Sequence, residues 1–111
     1  MKRYCLALDL KDDPQLIEEY KRYHRADYIW PEVVEAIKGD GVLSEEIYLA
    51  GTRMVMVLQT TDDFSFEAKA EKLRANPRMR VWEELMWKYQ QSIPGTAQGE
   101  KWVMMEKIFE V

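Results

Sequence analysis

The chain has 111 residues, 47% of them apolar and 12% aromatic, which suits a single packed domain spanning 1–111. Its net charge of −4 argues against nucleic acid as a partner, and Lys21-Arg22 and Arg78 with Arg80 read as solvated helix faces rather than a basic footprint. No stretch nears the roughly 20 apolar residues that cross a bilayer, the short apolar N-terminus is broken by Asp9, and lone Cys5 can form no internal disulfide, so a soluble cytoplasmic protein is expected.

Arg3 to Leu10 alternates, with Tyr4, Leu6, Leu8 and Leu10 on one side and Cys5, Ala7 and Asp9 on the other, the period of a half-buried strand. Asp12-Asp13-Pro14 then reads as a capped helix start. From Pro14 to about Arg25, Leu16, Ile17, Tyr20 and Tyr23 fall on one helical face. Pro31 opens a second helix that stops at Gly39-Asp40-Gly41. Val42 to Ala50 and Arg53 to Thr61 read as a hairpin turning at Gly51-Thr52. Thr61-Asp62-Asp63 caps a helix running to about Ala75, and Asn76-Pro77 starts another that extends to about Ile93. Pro94-Gly95 and a polar loop through Gly99 lead to a final strand from Lys101 to Val111.

That order implies an α+β ferredoxin-like plait, an antiparallel sheet with helices on one face. The other face then needs a cover. A second subunit's sheet would supply one, and a domain this small gains from it.

His24 ends the inward stripe of the first helix, one turn after Tyr20, so phenol and imidazole are neighbours. A histidine so placed is either a hydrogen-bonded structural residue or an acid/base, and its ordinary pKa near 6.5 suits the second role. In the long helix Trp82, Leu85, Met86, Tyr89 and Ile93 share a stripe. Trp87 sits about 140° away from Trp82, where an indole either packs on a neighbour or offers a stacking surface to a sugar. Trp30-Pro31-Glu32 is a turn whose indole is either an anchor or a ligand contact. Glu45 and Glu46 point to opposite faces of one strand, and the inward carboxylate needs a partner or a substrate hydroxyl. Alternation does not say which one that is. One histidine and one cysteine make no zinc site. No glycine-rich phosphate loop or nucleophile motif occurs. Cofactor-free acid/base chemistry or plain binding remains.

Tyr20-x-x-x-His24, Ile29-Trp30-Pro31-Glu32, Ile47-Tyr48-Leu49 and Trp87-Lys88-Tyr89, in register over nearly the whole chain, resemble the L-rhamnose mutarotases. The resemblance implies a homodimer of dimeric α/β barrel type that interconverts the α and β anomers of a 6-deoxy sugar, a small monosaccharide, without metal or cofactor. It implies that His24 is the proton donor, Tyr20 a substrate-binding tyrosine and Trp87 the second member of a sugar-binding aromatic pair. Three departures stand out. Met86 replaces the first aromatic of that pair, Glu45 falls where a sugar-contacting tyrosine is carried, and the segment between His24 and Trp30 is about two residues longer. Unchanged catalytic positions with altered contact positions point to another 6-deoxy sugar, L-fucose, beside L-rhamnose. A cofactor-free plait monooxygenase and a non-catalytic dimeric ligand-binding module are the competing readings, because plaits host many functions.

Overall fold

The computed structural model describes residues 1–97 and 101–111, so the predicted polar loop through Gly99 lies partly outside the described residues. β1 (Lys2–Leu10) leads through α1 (Pro14–Tyr23) and α2 (Pro31–Gly39) to the hairpin of β2 (Val42–Ala50) and β3 (Arg53–Thr60). α3 (Phe66–Ala75) and α4 (Pro77–Trp87) follow, then two short strands, β4 (Gln90–Gln91) and β5 (Val103–Met104). The strands order β2-β3-β1-β4, with β5 also on β1, and every pairing is antiparallel. This is the expected ferredoxin-like α+β plait.

Local chemistry accounts for the helix starts. The Asp13 carboxylate accepts from Gln15 N at 2.9 Å and Leu16 N at 3.2 Å, and Asn76 Oδ1 does the same for Arg78 and Met79. Pro14, Pro31 and Pro77 each occupy a first helical position, where no backbone N–H is needed. α3 begins later than expected because Ser65 caps it, accepting from Ala68 N at 3.2 Å, rather than Thr61-Asp62-Asp63. Between α2 and β2 the chain turns at Gly41 (φ 92°), where an added Cβ would lie 2.8 Å from Thr61 Oγ1. Only glycine fits there.

Two further boundaries differ from expectation. α4 stops at Trp87 rather than running to Ile93, although Tyr89 is buried. Tertiary pairing overrides the apolar period: Tyr89 O accepts from Lys11 N at 2.9 Å, and Gln90 and Gln91 add to the edge of β1 opposite Leu10 and Asp9. The final strand is likewise reduced to Val103–Met104, opposite Ala7 and Leu6. Beyond the bond from Met105 N to Cys5 O the tail leaves the sheet, with Ile108 and Phe109 exposed.

The inner face of the sheet carries Leu6, Leu8 and Leu10 of β1 and Met54, Met56 and Leu58 of β3. These pack with Tyr20, Val33, Met79, Trp82 and Met86 from the helices and with Tyr89. On β2 the register shifts between Val42 and Ser44, so two residues of β2 are used against one step of β3. Leu43 is extruded into solvent. Val42 opposite Thr60 and Glu45 opposite Leu58 therefore both face inward, while Glu46 opposite Val57 is exposed.

Candidate active site

Between the helix layer and the inner face lie two adjoining cavities, of about 580 Å³ and about 400 Å³. Tyr20 from α1, His24 just past its end, Ile37 from α2, and Glu45 and Ile47 from β2 line both. The smaller one adds Lys69, Trp82, Glu83, Met86, Gln90, Lys101 and Trp102. The combined space suits a small ligand, with apolar walls and few converging polar groups.

His24 caps the C-terminus of α1. Its Nδ1 lies 2.7 Å from Tyr20 O. A carbonyl only accepts, so Nδ1 carries the hydrogen, and the neutral ring keeps its lone pair on Nε2. The ring lies 4.4 Å from the Tyr20 ring and 5.6 Å, edge to face, from Trp82. Burial among these aromatics lowers the imidazole pKa from 6.5, against the opposing pull of the Tyr20 carbonyl. Tyr20 is itself buried, and its hydroxyl accepts from Gln90 Nε2 at 3.1 Å. Desolvation pushes its pKa up to about 12, so the phenol keeps its proton at neutral pH.

Glu45 approaches from the sheet. Burial raises its carboxyl pKa; Lys69 pulls the other way, and Glu83 adds to the rise. Lys69 is held by Asp40 at 3.0 Å. Glu83 is tied to Lys101, whose Nζ donates to its Oε2 at 2.9 Å. An imidazole moved down and a carboxyl moved up thus line one space, the first from a helix and the second from a strand.

The remaining predicted residues divide. Met86 is buried and lines the smaller cavity. Trp30 lines neither: its indole packs edge to face on Trp82 at 5.0 Å, under the Arg78 guanidinium at 3.7 Å, so it braces the tryptophan that backs His24. Trp87 also lines neither. It lies in a separate groove with Lys11, Glu84, Lys88 and Gln91, and the Lys101 ammonium stands 5.4 Å from its ring. Trp82, Glu83 and Gln90 were not expected at the site. Met79, Trp82, Glu83 and Met86 follow the i, i+3, i+4, i+7 spacing of one helix face, so the charge of Glu83 on an apolar stripe was a signal available in the sequence.

A model of the L-rhamnose mutarotase family matches residues 3–111. An L-fucose mutarotase of Xanthomonas campestris is 43% identical over 109 residues, covering 98% of this chain and 87% of that protein. A UPF0734 protein of Dictyostelium discoideum is 37% identical over 114 residues, with 99% and 90% covered. Among solved structures, an L-rhamnose mutarotase from Formosa agariphila superposes with a TM-score of 0.70 at 19% identity, covering 100% of this chain and 99% of that one. A tetracenomycin F2 cyclase from Streptomyces glaucescens reaches 0.65 at 12% identity, with 100% and 99% covered. These two establish the shared fold alone. The match along almost the entire chain, with a relative at 43% identity, makes this chain a member of the L-rhamnose mutarotase family and an isomerase of the sugar mutarotase type.

Proposed function

We propose that the chain interconverts the α and β anomers of a 6-deoxy-L-hexose, with L-fucose preferred over L-rhamnose. The observation that carries this reading is the pairing of His24 and Glu45 across one cavity. Support for fucose comes from the 43% identical L-fucose mutarotase and from the carboxylate of Glu45, which can accept from sugar hydroxyls.

Ring opening needs a proton on the ring oxygen and the loss of the proton on the anomeric hydroxyl. The imidazolium form of His24 supplies the first from Nε2 and the ionised form of Glu45 takes the second, breaking the bond from C1 to the ring oxygen and leaving an open-chain aldehyde and a neutral imidazole hydrogen-bonded through Nδ1. Rotation about C1–C2 presents the other carbonyl face, and reclosure returns both protons. Such a reaction must use each group in both directions. Burial lowers the pKa of one and raises that of the other, which brings their proton affinities closer and favours transfer in either direction. Tyr20 and Met86 line the space the sugar would fill.

We also infer that two copies pair through the outer face of the sheet. Val55 and Val57 are only half-buried there, beside exposed Tyr48. The half-buried lone Cys5 suits the reducing cytoplasm.

The test is anomer exchange. Dissolved pure α-L-fucose and α-L-rhamnose are followed by optical rotation and by saturation-transfer NMR. Faster equilibration with protein is expected, most for fucose; no acceleration of either sugar would sink the reading. Light scattering should give twice the chain mass, and a monomer would overturn the pairing.

A further inference from the structure

Gln90 is a buried polar side chain, 4% exposed, on the wall of the cavity it shares with His24, Trp82 and Met86. Its Nε2 donates to the Tyr20 hydroxyl at 3.1 Å, while its Oε1 is sealed from water with no hydrogen-bond partner among the described residues. Buried amide oxygens without partners are rare and costly. The backbone cannot relieve this one, because residue 90 is paired with Leu10 in the sheet. An apolar side chain such as methionine would fill the position without the unmet acceptor.

We propose that Gln90 is a specificity-determining residue of this site, its unpartnered amide end turning into the cavity to bind one hydroxyl of the sugar. A sugar hydroxyl both donates and accepts, so it completes the amide whichever way round the group lies. The bond to Tyr20 keeps the amide beside the cavity before the sugar arrives. A sugar lacking that hydroxyl would leave the acceptor unmet in the complex, which is how a polar pocket rejects a deoxy analogue. The inference rests on the mutarotase reading above and adds the residue that would choose among hydroxyl patterns.

The experiment compares wild type with Gln90→Met, Gln90→Glu and Tyr20→Phe, using anomer-exchange kinetics and thermal unfolding on L-fucose and its monodeoxy analogues. Gln90→Met should fold with a Tm near that of wild type, the removal of the unmet oxygen offsetting the lost bond to Tyr20, and raise KM about ten- to hundredfold, with kcat retained. One monodeoxy analogue should be penalised similarly by wild type, yet be handled by Gln90→Met as well as the parent sugar. Tyr20→Phe and Gln90→Glu keep an acceptor at the position and should still reject that analogue, which covers the case in which Gln90→Met does not fold. A wild-type KM in Gln90→Met, or loss of discrimination in Gln90→Glu, would overturn the assignment. If wild type is active and Gln90→Met matches it, only this inference falls; if wild type accelerates neither parent sugar, both fall.

Discussion

Glu45 and Glu46 are chain neighbours with identical side chains, yet they belong to different regions of the molecule. Glu45 faces the helix layer, within a space shared with His24, and burial raises its pKa. Glu46 stands in water on the outer face, in the register that also holds Val57 and Cys5. The same pleat splits the rest of the sheet. Inward residues make the core and the cavity, whereas outward ones leave Val55 and Val57 half-covered and tie Asp9 to Arg53 through two bonds of 2.7 and 3.2 Å. Chemistry here is assigned by the side of the strand, and residue type follows only afterwards.

The two faces can be set against each other by substitution. The largest effect is expected from His24→Ala, which should lower the rate of anomer exchange about 10²–10⁴-fold while the far-UV spectrum stays native. A variant retaining wild-type rate would remove the imidazole from the chemistry. In the core beneath it, Leu8→Ala should cost about 2–5 kcal/mol in urea unfolding. Val57→Ala on the outer face should cost only about 1 kcal/mol in the isolated chain. Equal losses would mean that the outer face is as fully packed as the inner, and a Val57 effect that grows with protein concentration would locate a subunit contact there.

Of similar size is the effect of the paired carboxylates. Glu45→Gln should slow exchange about tenfold or more and Glu46→Gln should leave it unchanged; the reverse order would show that the bulge does not set the face. The smallest signal is the pH dependence of stability. The pKa of His24 is held below 6.5 in the folded chain, so its contribution is present above that value and is lost as pH falls, when the unfolded chain takes up the proton more readily. The pKa of Glu45 is raised above 4.5, so its contribution is full below that value and is lost as pH rises through the folded pKa. His24→Asn should flatten the acid side of a stability profile and Glu45→Gln the other. Profiles that overlay wild type would mean the two groups are hydrated in the folded chain.

The order of elements was legible because punctuation and period agreed. Pro14, Pro31 and Asn76-Pro77 start helices, Gly39-Asp40-Gly41 ends one, and β1 and β3 alternate cleanly. His24 beside Tyr20 was legible from i,i+4 spacing, and the structure puts both rings on the same cavity wall. The inward glutamate was not, because a single bulge at Leu43 inverts the alternation between Val42 and Glu45 and leaves no mark in composition. Gln90 was hidden for a related reason: the apolar period of α4 continues through Tyr89, so the switch into β4 depends on a distant partner, the edge of β1. Trp87 was recognised as off the stripe, but the groove it faces is set by where the helix lies on the sheet.

The end of α1 has a consequence for the imidazole. Had the helix run on to Arg25, the backbone N–H of His24 would have closed onto the carbonyl of Tyr20, four residues back. Instead the last turn tightens: that N–H bonds Lys21 O at 3.1 Å, and the Tyr20 carbonyl is left for the ring. Helix termination and tautomer selection are thus a single event. Fraying of this one turn would release the ring to rotate and exchange its nitrogens, so catalytic competence should track local helix order at His24 and be lost before the domain unfolds.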